Sequence, residues 1–129
     1  EGLTDLYRWG NRVSIYTGLP AVIGWDWHQR QQRVKYASSV SERRDEVDSF
    51  YDTPLRSSAL KILNKYQVKY VYIGELERAK YGTAGIAKFK SMVADGLVQV
   101  YPENGSDMET PVVIYKYVPI ASVSSRNIN

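Results

Sequence analysis

The sequence predicts an α/β domain: a small two-layer or three-layer sheet of about four strands with helices packed on it. Three observations carry that prediction. Runs of β-branched and aromatic residues alternate with stretches of helical periodicity, in the order strand, helices, strand, helix, strand, strand. The 129 residues are 43% hydrophobic and 24% charged, which suits one domain with a real core and excludes a disordered chain. Turn formers cluster between the runs, with no internal repeat and no interdomain linker.

The elements follow in order. Val13-Ser14-Ile15-Tyr16-Thr17 alternates apolar with polar residues and is closed by Gly18-Leu19-Pro20, the pattern of a first strand and turn. After Gly24, the stretch from Trp25 to Val34 is rich in unbranched side chains and has no breaker, so it predicts a helix from about Asp26. Ser41 to Tyr51 predicts a helix capped by Ser41, with Val47, Phe50 and Tyr51 as its apolar stripe. Thr53 caps the next helix and Pro54 sits in its first turn, followed by Leu55, Ala59, Leu60, Ile62, Leu63 and Tyr66 at helical spacing. Lys69 to Gly74 is the second predicted strand. Thr83 to Ala94 carries the stripe Ile86, Phe89, Met92 and Val93, and Gly96 stops that helix. Leu97 to Tyr101 and Val112 to Val118 are the third and fourth strands, joined across Pro102 to Asp107 as an antiparallel hairpin. The polar tail from Ala121 is expected to fray. Strands separated by helices run parallel through right-handed crossovers, so the first two strands are predicted to be parallel neighbours.

Charge and composition narrow the function. Seventeen Lys and Arg face 14 Asp and Glu, and the net charge of +3 is too small to imply nucleic acid. With no cysteine, disulfides, thiolate metal sites and Cys nucleophiles are excluded. The longest apolar runs, such as Leu19 to Ile23, fall far short of the ~20 residues that span a bilayer, and mean hydropathy is −0.40. The chain therefore predicts a single soluble domain over residues 1–129. Its first residue is Glu1 rather than Met, with no signal-peptide pattern, which predicts a piece processed or excised from something longer. Eleven Tyr beside two Phe suit half-wet surfaces and clefts.

In open α/β sheets, ligands bind outside the carboxyl ends of the parallel strands. Two segments would occupy that rim: Thr17 to Arg30 after the first strand and Gly74 to Arg78 after the second. Asp26, His28, Arg30, Glu75, Glu77 and Arg78 would then face one another. Trp25 and Trp27 with Gln29, Arg30, Gln32 and Arg33 can hold a sugar, the flat rings covering its apolar face and the planar polar groups binding hydroxyls or phosphates. Alternatively, the two tryptophans anchor a loop on the core, and Asp26 and Arg30 form a surface pair four residues apart. His28 is the sole histidine, so a two-His metal motif is excluded. With Asp26 and Glu75 or Glu77 it can bind a hard divalent ion or act as a general base, and a structural or exposed His is the plainer alternative. Glu75 and Glu77 can do acid–base work, or else form a solvated turn or pair with an arginine. The sequence contains no G-x-S-x-G, P-loop or G-x-G-x-x-G, so no cofactor and no metal are predicted. Tyr70 and Tyr72 share a strand face, but the sheet signature of an RNA-recognition domain is missing.

Val13 to Pro20 running into Gly24-Trp25-Asp26-Trp27-His28-Gln29-Arg30-Gln31-Gln32-Arg33 resembles the Chlor_Arch_YYY family, multi-pass membrane proteins of bacteria and archaea. Asp45 to Tyr51, Lys65 to Gly74, and Leu76-Glu77-Arg78 with Tyr81 are similar to the same family's C-terminal portion, so the resemblance covers roughly residues 12–118. It implies an extracytoplasmic α/β domain cut from the C-terminus of a larger glycosyltransferase-like membrane protein that uses a lipid-linked sugar donor. In oligosaccharyltransferases of comparable architecture the catalytic carboxylates lie on the membrane part, and the soluble domain helps bind the acceptor through a Trp-Trp-Asp motif. Trp25-Asp26-Trp27 has the same residue types in another order. The resulting expectation is a non-catalytic domain binding a glycan or acceptor through Trp25, Asp26, Trp27, His28, Arg30, Arg33, Glu75, Glu77 and Arg78. Its partners would be the parent's own transmembrane region and a lipid-linked sugar or acceptor. Two alternatives stand beside it: a structural cap docked on the parent's transmembrane helices, and a hydrolase or metal enzyme using Asp26, His28 and Glu77.

Overall fold

The computed structural model describes residues 1–3, 10–103 and 110–120. Its first element overturns the predicted first strand. Arg12–Thr17 is a helix, α1. Ile15 N–H donates to Asn11 O at 3.1 Å and Gly18 N–H to Ser14 O at 2.9 Å. Over so short a run, an apolar–polar alternation fits one side of a helix as well as a strand, and the ends decide. Asn11 (φ 65°) and Gly18 (φ 72°) are both left-handed and bracket the helix. Gly18 does end an element, but a helical one.

α2 (Asp26–Gln32) begins where the sequence places it, and a 3-10 turn over Val34–Tyr36 leads into α3 (Ala37–Asp52). α3 starts a turn earlier than expected, so Ser41 lies inside it rather than capping it. It buries Val40, Val47, Phe50 and Tyr51 along one side. Leu55 N–H donates to Thr53 Oγ1 at 3.2 Å as the chain turns into α4 (Arg56–Lys65), which buries Ala59 and Leu63. Then come β1 (Tyr70–Ile73), α5 (Glu75–Lys80), α6 (Thr83–Ser91), a 3-10 turn over Met92–Asp95, β2 (Leu97–Tyr101) and β3 (Val113–Tyr117). Gly96, at φ 99°, makes the turn into β2.

The fold class is corrected accordingly. The sheet has three strands in the order β1-β3-β2, and β3 is antiparallel to both neighbours. It does not have four strands with a parallel pair, because Val13 to Thr17 is helical and β3 inserts between the two strands that share a direction. Those two are β1 and β2, linked through α5 and α6. The crossover logic therefore applies, but to a pair that never touches. Val71 pairs with Tyr115 and Leu97 with Tyr117, and the register shifts between Gln99 and Tyr101. Val71, Ile73, Leu97, Tyr115 and Tyr117 are buried on one face, while Tyr70, Val98 and Lys116 are exposed on the other. Helices cover the first face.

The core is aromatic. The Phe89 ring lies 5.3 Å from Phe50, 5.8 Å from Tyr51 and 6.5 Å from Tyr115, and Tyr51 stacks on Tyr81 at 5.0 Å. α6 crosses the C-terminus of α3 at Gly85, where a Cβ would stand 2.3 Å from Tyr51 O and 2.4 Å from Asp52 O. One turn on, buried Lys88 donates through Nζ to Tyr51 O at 3.2 Å and Gly85 O at 2.8 Å, with the Phe89 ring 4.0 Å away. Lys88 thus caps the Tyr51 carbonyl at the C-terminus of α3 and also bonds Gly85 O within its own helix. Residues 104–107 of the predicted turn and the tail from residue 121 lie outside the described residues. Among the described residues, no helix is long and apolar enough to cross a membrane.

Candidate functional site

The predicted rim loses its basis with the first strand, and the two segments assigned to it sit on separate helices. Glu75, Glu77 and Arg78 belong to α5, which starts directly after β1. Glu77 is only 1% exposed. Its Oε2 accepts the Gly74 N–H at 2.8 Å, the reach of a third helical residue back to the residue before the helix. Its Oε1 accepts the Gly2 N–H at 2.8 Å, and Arg12 Nη2 donates to both oxygens at 2.9 Å. Arg12 Nη1 lies 3.1 Å from Glu1 Oε2, and the guanidinium sits 4.9 Å from the Tyr72 ring centroid. Burial works against the Arg12 charge, but Glu77 and Glu1 outweigh it and hold its pKa above the ordinary value. Glu77 is therefore an internal anchor for α1.

Tyr81 extends this network. Its hydroxyl donates to Asp48 Oδ1 at 2.7 Å and accepts the Leu3 N–H at 3.0 Å. Burial pushes its pKa up, and does the same to Tyr51, whose hydroxyl donates to Tyr72 O at 2.8 Å. Arg12 and Tyr81 were missed as site residues. The signal for Arg12 lay in Glu77 itself: a carboxylate three residues after a strand-ending glycine marks a helix start, and a helix packed there needs a cation for that carboxylate.

The other segment has a different character. Trp25 is half-buried and donates from Nε1 to Gly10 O at 3.0 Å, tying α2 to the turn that precedes Arg12. Asp26 lies 3.6 Å from Arg44 of α3, and Arg44 also pairs with Asp45 at 2.8 Å. α2 buries none of its residues. Trp27 is 43% exposed with the Arg30 guanidinium 5.5 Å from its ring, and His28 and Arg33 are exposed beside them.

The nine predicted site residues thus divide. Trp27, His28, Arg30 and Arg33 are gathered on and just after α2. Glu75 and Arg78 are exposed on α5, where Arg78 Nε donates to Pro111 O at 3.3 Å. Trp25, Asp26 and Glu77 hold the architecture. The link between the segments runs indirectly, from Trp25 through Gly10 to Arg12 and Glu77. Asp26, His28 and Glu77 do not form an acid–base set, since Glu77 commits both oxygens to Arg12 and backbone amides while Asp26 faces Arg44. Among the described residues, no three His, Cys, Asp or Glu side chains are grouped to hold a metal. No family model, curated protein or solved structure matches the chain.

Proposed function

We propose that this chain is a non-catalytic, extracytoplasmic domain of a membrane glycosyltransferase-like protein, and that the exposed side of α2 binds a glycan or an acceptor. The observation that carries this reading is Trp27, left 43% exposed on a helix that buries nothing, with the Arg30 guanidinium 5.5 Å from its ring. A pyranose face stacks on the indole, while Arg30 and Arg33 contact phosphate or carboxylate. Trp25, Asp26 and the Glu77–Arg12 pair position α2 against the body. The resemblance of Gly24 to Arg33 to the membrane family supplies the parent, its transmembrane region as partner and a lipid-linked sugar or acceptor as ligand.

Glycan arrays and acceptor-peptide titrations test it. Trp27→Ala abolishes binding with melting unchanged if the reading is right; binding that survives this change overturns it. A second reading, a structural cap on the parent's transmembrane helices, is favoured by one observation: Ile15, Tyr16, Leu19, Val34 and Tyr36 are each more than half exposed. It predicts no glycan ligand and strong stabilisation on docking.

A further inference from the structure

We infer that the domain has a second binding site, a cleft for a single-chain amphiphile with an anionic head, lying between α1 with its following loop and the body of the fold. The cleft encloses about 650 Å³, within the range of sites that take small organic ligands. Its floor is made by Val47, Phe50, Leu63 and Val71, all nearly inaccessible from outside. Val13 and Val22 form the facing wall. Tyr51, a polar side chain beneath the cleft, has its hydroxyl committed to Tyr72 O at 2.8 Å. The lining also carries Glu1, Ser14, Thr17 and Gln67, but Glu1 is held by Arg12 and the Val13 N–H and the Thr17 hydroxyl donates to Val13 O, so the accessible surface is mainly apolar and an apolar chain is what it fits. Above that floor the partly buried Val13, Val22, Ile62 and Val68 present apolar surface to the cleft, and wetting it is unfavourable in proportion to its area, so a chain that displaces water is stabilised there.

The mouth has the opposite chemistry. Arg43 and Lys69 both line it and both are exposed. Arg43 rests on the Tyr66 ring at 5.4 Å and reaches Val22 O at 3.4 Å, which leaves other N–H groups of its fork available. Among the described residues Lys69 makes no ion pair. The carboxylates nearby are already held: Glu1 by Arg12 at 3.1 Å and by Val13 N–H at 3.0 Å, and Glu46 by Lys65 at 2.8 Å and by the Tyr66 hydroxyl. The mouth thus presents net positive charge over an apolar depth, which selects a phosphate or carboxylate on a hydrocarbon chain. α1 forms one wall, held in place by Arg12 on Glu77 while burying no residue of its own. The cleft shares no residue with the exposed face of α2, so it stands or falls independently of the glycan reading.

Calorimetric titration of the chain with dodecyl phosphate, dodecanoate, dodecyl maltoside and inorganic phosphate tests the proposal, with each amphiphile kept below micelle formation. One equivalent of each anionic amphiphile is expected to bind, the neutral maltoside about tenfold more weakly and inorganic phosphate not at all. Preference for dodecyl phosphate points to a lipid phosphate, and preference for dodecanoate to a fatty acid. Lys69→Gln, at an exposed position, weakens the anionic probes about tenfold and leaves the neutral one unchanged. Ser14→Trp, on the α1 side of the cleft, blocks all of them, with circular dichroism checking that the variant folds. Equal binding of neutral and anionic chains, several equivalents per protein, or full binding by a folded Ser14→Trp variant overturns the proposal.

Discussion

Residues 37–118 and residues 10–36 are held in place by different physics. The first set supplies nearly all of the buried hydrophobic cluster, whereas the second contributes Ile23 alone. α1 and α2 bury no residue, yet both have defined places, set by Arg12 on Glu77, Trp25 on Gly10 and Asp26 near Arg44. A segment held by directional polar anchors keeps its apolar and aromatic side chains turned outward, available to something else. The part held by burial leaves apolar side chains outward as well, Leu55, Tyr70, Val93 and Val98 among them, but it does so over a core to which the other part adds only Ile23. Both proposed binding surfaces accordingly involve the polar-anchored part, and that part belongs at the low end of local stability.

The sharpest way to break the comparison is to damage each part separately. Phe89→Ala removes a ring with no exposure from among Phe50, Tyr51 and Tyr115 and should cost about 3–5 kcal/mol, enough to threaten the whole fold. Chemical denaturation should show one transition moved to much lower denaturant. Arg12→Leu strands the Glu77 carboxylate with only the Gly2 and Gly74 amides and should cost about 3 kcal/mol. Here the loss should be local: hydrogen exchange speeds up over residues 12–33 while β3 stays protected. Equal loss of protection in β3 would mean that the arm and the body are one cooperative unit.

A pH titration examines the body alone. Burial lowers Lys88 from 10.5 to about 8, although Asp52 pulls the other way. Between those values the unfolded chain holds a proton that the native chain has released, so stability should rise as pH climbs from about 8 towards 10. Above the ordinary tyrosine value of 10.0 the slope reverses, because Tyr51 and Tyr81 keep their protons only in the folded state. Lys88→Met should flatten the rise in urea midpoints between pH 8 and 10. A wild-type midpoint that falls over this interval would contradict the buried, carbonyl-capping role of Lys88.

The same division explains what could be seen in the sequence. Leu63, Val71, Phe89, Met92 and Leu97 are all fully or nearly fully buried, and each lies on a run whose period announces it. Burial leaves a repeating mark. Polar anchoring leaves only a local hint: Glu77 after Gly74 marks a helix start that needs a cation, but Arg12 is 65 residues away and no repeat singles it out as the partner. Val13 to Thr17 reads as a strand yet forms part of a helix for the same reason, since an unburied five-residue run carries no period long enough to separate the two. The misplaced parallel pair followed from that one segment. In the candidate site, Trp27, Arg30 and Arg33 were legible as an aromatic and planar-cation cluster, whereas the inward turn of Glu77 was set by α5 beginning immediately after β1.

The smallest expected effects come from two tryptophans two residues apart, and their contrast separates the anchor just before α2 from the surface of α2 itself. Trp25 gives its indole N–H to Gly10 O, so Trp25→Phe keeps an aromatic ring and loses that bond, which should lower stability by about 1 kcal/mol. Trp27 is exposed and lies on a helix with no buried residue, so Trp27→Ala should stay within about 0.5 kcal/mol of wild type. Thermal melts of the two variants provide the measurement. If Trp27→Ala destabilises as much as Trp25→Phe, its ring is needed to hold α2 against the body, and it is not spare to stack on a ligand. If only Trp25→Phe does, the outward indole has no structural duty and is free to stack on a ligand.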